Sequence, residues 1–121
     1  MDEQRARELL RVERERVERA LADAEAAQSM DGVDEQVVGD DADEAQRLTS
    51  QATDQAFIAG LSDRLAALDR AEQRLADGTY GRSVVSGEPL PDERLEADPA
   101  AELTVDEAER EPQDRGASEA A

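Results

Sequence analysis

Cysteine and histidine are both missing from this chain of 121 residues. Without cysteine, neither a disulfide nor a thiolate metal site can form. Without histidine as well, most nucleophile–base pairs and the commonest zinc ligands are gone. The chain is therefore not expected to be an enzyme or to hold a cofactor. Tryptophan and lysine are also absent, and one Phe and one Tyr are the only aromatics. So few large rings argue against a broad globular core. No apolar run approaches the roughly 18 residues of a membrane-spanning helix. The first residues, MDEQRARELL, are charged and helical in character rather than a signal peptide. A soluble, cytoplasmic protein with no membrane association is the expectation.

What is there in abundance is acid. Against 14 arginines stand 32 acids, a formal charge of −18. Such a field repels nucleic acid, so sequence-specific DNA or RNA binding is not expected, and it favours a basic protein surface as partner. The hydrophobic fraction, 38%, is low. It suits a slender helical shape that buries only a seam, within one domain.

Residues 3 to 28 place Ala6, Leu9, Leu10, Val17, Ala20, Leu21, Ala24 and Ala27 at three- and four-residue spacing, with a gap around Glu13. Glu8 with Arg11, Glu13 with Arg16 and Glu15 with Arg19 support an exposed helix face. Residues 29 to 46 follow with seven acids, no base and two glycines. Gly39 precedes a fresh start signal, in which Asp40 or Asp41 can cap a helix and Glu44 completes a capping box with Asp41. Val33, Val37 and Val38 are expected to pack back on the hairpin. Residues 41 to 77 read as a second helix. Ile58 and Leu65 with Glu72, and Leu61, Leu68 and Leu75, keep seven-residue spacing, the pattern of a coiled-coil seam. Leu48 and Ala52 fall on another face, so the seam should shift near Phe57. Gly60 is a weak point in this helix. Gly78 suits a helix C-terminus.

From 78 to 107 the glycine and proline breaks favour turns and short strands over helix. Ser83–Val85 and Leu103–Val105 are the strand candidates, with a short helix after Asp106. Residues 111 to 121 are small and polar, and read as a disordered tail. From Asp98 onward eight acids face two arginines, a composition that mainly solvates the chain.

Gly78-Thr79-Tyr80-Gly81, Gly87, Arg94-Leu95-Glu96-Ala97, Pro99, Ala101, Leu103 and Asp106 together resemble the zinc-finger end of the DksA/TraR family of bacterial transcription regulators. Where that family places two CxxC pairs, this chain has Ser83, Ser86, Thr104 and Glu107. Hydroxyls are poor zinc ligands and one carboxylate does not hold the ion, so no structural zinc is expected. Packing of Tyr80, Val85, Leu90, Leu95, Leu103 and Val105 against the second helix would then close the module. A second match is Asp40-Asp41-Ala42-Asp43-Glu44-Ala45, similar to the family's Asp-x-x-Asp-x-Ala motif at a hairpin turn.

The resemblance implies a mostly α fold. Residues 1–77 form a long antiparallel coiled-coil hairpin with its tip at 29–46. Residues 78–110 form a small degenerate zinc-finger-like α+β module, and 111–121 a disordered tail. It also implies a monomer that binds RNA polymerase through its secondary channel. Asp40, Asp43 and Ala45 would act there near the catalytic site. Two plainer readings stand beside it. The tip acids can be no more than helix caps in a solvated turn. The whole chain can be a coiled-coil interaction or adaptor protein that keeps the family shape without the polymerase role. Carboxylate chemistry by Asp40 and Asp43 is disfavoured, because no apolar pocket surrounds them to shift their pKa.

Overall fold

The computed structural model describes residues 1–34 and 41–110, the side chains of 30–34, 41 and 42 excepted. Helix α1 is Glu3–Asp34, α2 is Asp41–Asp77 and α3 is Asp92–Ala97. A further helical segment covers 105–110. Helix α1 thus runs six residues past 28, so part of the acidic stretch is helical. Asp40, Gly39, the tail 111–121 and the packing of Val33, Val37 and Val38 lie outside the described residues.

The chain divides into two compact units, Val12–Ala67 and a second made of Met1–Arg11 with Leu68 onward. The first is a helical hairpin. On α1, Val17 is fully buried and Glu13, Arg14, Ala20, Leu21, Ala24 and Gln28 are half-buried; on α2 the half-buried positions are Arg47, Gln51, Asp54, Ile58, Leu61, Arg64, Leu65 and Ala67. Both sets recur at three- and four-residue spacing, as two helices sharing one seam require. The expected shift of the seam near Phe57 does not occur. The inward positions continue in register as Asp54, Gln51 and Arg47, while Leu48 and Phe57 stay 54% and 58% exposed. Side chains such as Arg47 can lay an alkyl stem along a seam and keep the head in water. The gap at Glu13 is filled from the other helix, where Arg64 meets its carboxylate at 3.3 Å. Of the surface pairs, Glu13 also holds Arg16 at 2.6 Å, and Glu8 holds Arg11.

In the second unit Ala6, Leu10, Leu68 and Ala71 are buried. Ala71 takes the inward place and Glu72 is exposed, so the small neighbour keeps the acid out of the seam. Helix α2 ends in a Schellman motif: the Thr79 N–H reaches the Arg74 carbonyl (2.9 Å) and the Gly78 N–H reaches that of Leu75 (3.3 Å). Gly78 adopts φ 81°, which a residue with a Cβ takes only under strain. Next, Leu90, Leu95 and Ala101 make a small core with Met1 and Tyr80 against it. The Tyr80 hydroxyl donates to the Pro99 carbonyl at 2.7 Å, and burial pushes its pKa up to about 12.

The module differs from expectation in three ways. Neither strand candidate forms; among the described residues the only β pairing in this part is a single antiparallel bridge between Arg82 and Pro89. Helix α3 stands where turns were read, with Asp92 and Glu93 in its first turn to suit the helix dipole. Val85 and Val105 do not join the core but stay 75% and 51% exposed.

Candidate functional site

Two groups of residues were singled out by sequence, and the structure treats them differently. Asp43 and Ala45 are exposed on the early turns of α2. Two residues apart on a helix, they point about 200° apart, so they do not share a face. Nearby, Arg47 holds Glu44 at 3.0 Å, and the Thr49 hydroxyl donates to the Ala45 carbonyl. Asp40 lies outside the described residues.

The four degenerate zinc-ligand positions do come together. Ser83 is buried, and its hydroxyl donates to Glu107 Oε1 at 2.6 Å. The same Ser83 Oγ accepts the N–H groups of Val85 and Ser86, each at 3.1 Å. Thr104 and Glu107 form a reciprocal capping box at the start of the segment 105–110: the Thr104 N–H meets Glu107 Oε1 (2.8 Å) and the Glu107 N–H meets Thr104 Oγ1 (3.1 Å). The donors, chiefly the Ser83 hydroxyl and then the Thr104 N–H, with Ser86 also contributing, hold the Glu107 pKa down at about 2. This node joins the loop around Ser83 to the start of the segment 105–110. Among the described residues no group of three or more His, Cys, Asp or Glu is placed to hold a metal ion.

The sequence carried a signal for half of this node that the strand reading passed over. Thr104-Val105-Asp106-Glu107 is a capping-box pattern, and it starts a helix in place of a strand. The Ser83 bonds to Val85 and Ser86 have no comparable signature. They also explain the missing strand, because the N–H groups of Val85 and Ser86 are turned to a side chain instead of a ladder.

Beside the node is a cleft of about 410 Å³ lined by Arg70, Val84, Arg94, Glu102, Leu103 and Ala108, among others. Its polar groups are satisfied within the chain: Arg70 pairs with Glu102 at 2.8 Å, and Arg94 Nε donates to the Leu103 carbonyl at 2.7 Å. No helix of the described residues is long and apolar enough to cross a membrane.

The long helical hairpin is a DksA-like feature, and comparison with known proteins shows the same likeness. The chain is 40% identical over 73 residues to the RNA polymerase-binding transcription factor DksA of Caulobacter vibrioides, covering 57% of this chain and 51% of the relative. It is 37% identical over 82 residues to general stress protein 16O of Bacillus subtilis (strain 168), covering 68% of this chain and 48% of the relative. It thus spans about half the length of the curated relatives it matches. The structure of transcription factor DksA2 from Pseudomonas aeruginosa superposes with a TM-score of 0.74 at 26% identity, over 93% of this chain and 84% of that one. No family model matches. The chain is DksA/TraR-like in sequence and in fold.

Proposed function

We propose that this protein is a transcription regulator that binds RNA polymerase and does not read DNA sequence. The observation that carries this reading is the likeness to DksA2 over 93% of the chain, joined to 40% identity with a polymerase-binding DksA. In its finer form, the hairpin enters the polymerase secondary channel, and Asp40, Asp43 and Ala45 act near the active site. Acids next to bound catalytic cations would alter the largest local charges there. The strong negative charge supports a basic protein partner and disfavours direct contact with nucleic acid. Such a protein regulates without catalysing, acts as a monomer, and works in the cytoplasm where polymerase is found.

Co-purification with core RNA polymerase, followed by transcription in vitro, tests both levels. The parent chain should be retained by polymerase and change initiation. The Asp40→Asn, Asp43→Asn double variant should still bind but lose most of the effect on initiation. A double variant that regulates as well as the parent rules out the tip mechanism. Failure of the parent chain to bind rules out the polymerase role and leaves the adaptor reading.

A further inference from the structure

The acids of this chain are unevenly placed along it. Residues 1–19 hold six acids and six arginines, and residues 58–82 hold four of each, so the side chains of both stretches sum to zero. Between them, residues 20–57 carry ten acids and one arginine, a net charge of −9. The change falls within the hairpin. Where Glu13 meets Arg64 across the seam at 3.3 Å, opposite charges face each other. Ten residues further out along each helix, about 15 Å at the helical rise, stand Asp23 on α1 and Asp54 on α2. At that level two carboxylates stand opposite, and Asp54 is half-buried on the inward face. The inward positions of α2 beyond Ile58 are Asp54, Gln51 and Arg47, and those of α1 are Ala20, Leu21, Ala24 and Gln28. Leu21 is the one large aliphatic among these seven. The one arginine, Arg47, pairs with Glu44 of its own helix at 3.0 Å.

Two opposed forces thus set the pairing of the outer half. Apolar burial favours it but is thin, and repulsion between two like-charged helices works against it. Packed helices lie about 8–10 Å apart. Repulsion over that distance is nearly unscreened at 0.01 M salt, where the Debye length is about 30 Å, and largely screened at 1 M, where it is about 3 Å. We infer that the outer half of the hairpin, 20–28 with 43–57, is a clasp governed by ionic strength. Its helices part in dilute salt and close as dissolved cations screen the acids. The inner half, neutral and seamed with Val17, Ile58, Leu61 and Leu65, stays closed throughout. Diffuse screening closes the clasp, so no cluster of carboxylates has to coordinate an ion. The acidic stretch 29–46 is carried by this half, and ionic strength thereby sets how firmly it is held. The clasp is a property of the free chain and stands apart from the polymerase reading.

The test is native-state hydrogen exchange on the full chain at neutral pH, in KCl raised from about 0.01 to about 1 M. Amides of 20–28 and 43–57 should gain about tenfold or more in protection, while those of 13–19 and 58–67 change by less than about twofold. The inner half is the internal control, because a general salting-out of apolar groups would protect its aliphatic seam at least as much. Asp54→Arg sets an opposite charge against Asp23, repeating the Glu13–Arg64 arrangement further out. It should raise outer protection in dilute salt and flatten the salt response. Asp23→Asn with Asp54→Asn should act in the same direction without adding a charge. Circular dichroism in 1 M KCl checks that each variant keeps the parent's helix content. Inner and outer halves that respond alike, outer protection that does not rise with KCl, or variants whose salt response equals the parent's would each overturn the clasp.

Discussion

One carboxylate oxygen of Glu107 receives both the Ser83 hydroxyl at 2.6 Å and the Thr104 N–H at 2.8 Å. These donors favour the charged form, so the folded pKa lies at about 2 against an ordinary 4.5. The sign follows directly. A lowered carboxylate pKa stabilises the fold above the unfolded value, and that contribution is lost as pH falls from 4.5 towards 2. Glu107→Gln keeps an acceptor for Ser83 but removes the titration. Acid unfolding followed by circular dichroism should then show a shallower loss of stability below about pH 4.5 in the variant than in the parent. Equal slopes would remove Glu107 from the account. At this scale the sequence revealed the positions but not their bonding. Ser83, Ser86, Thr104 and Glu107 came from the spacing of a family pattern. That a serine hydroxyl would collect two N–H groups and hand its proton to a glutamate depends on a loop geometry that no short-range pattern encodes.

Among the elements, α1 and α2 were legible because their apolar spacing repeats over many turns, and the α2 boundaries fall where Asp41 and Gly78 suggested. The module was less legible. Val84 and Val85 looked like strand on β-branched content alone, yet the Ser83 hydroxyl takes the Val85 donor, and the Val84 donor reaches the Glu102 carbonyl in one bond that no ladder continues. Helix α3 is six residues long, too short for periodicity to register. The pairing of Glu13 with Arg64 was missed for a different reason: an interruption in one stripe is only intelligible once the facing residue is known. Glu13 has a lowered pKa, caused first by its hydrogen bond to Arg16 and also by the Arg64 charge. Because this pair sits within a seam, it opposes slippage; a shift of one turn would set Glu13 against Gly60 or Leu61. A double-mutant cycle on Glu13→Ala and Arg64→Ala, read by thermal or denaturant unfolding, should give a coupling of about 0.5–1 kcal/mol, near the upper end for partly exposed pairs. Strict additivity would mean the two charges merely coexist.

For the molecule as a whole, absence was as informative as presence. The lack of cysteine and histidine and the charge of −18 narrowed the function classes before any fold was considered. The fold likeness to DksA2 then agreed with a resemblance carried by scattered glycines, a Pro and an Arg-Leu-Glu-Ala run. What composition does not reveal is how cohesion is distributed along the hairpin. Large aliphatics hold the shared seam at Ile58, Leu61 and Leu65, whereas Asp54, Gln51 and Arg47 occupy the same register nearer the acidic end. Full burial of an aliphatic is worth about 1.5–3 kcal/mol, and these half-buried ones contribute a part of that which a polar residue in their place does not. Local opening should therefore be easier over 43–57 than over 58–67. Native-state hydrogen exchange should show a step in amide protection between those segments, and uniform protection would refute it. The polar outer seam thus makes a compliance gradient, stiff at one end and easily opened at the other, so that the hairpin is a lever with a soft end.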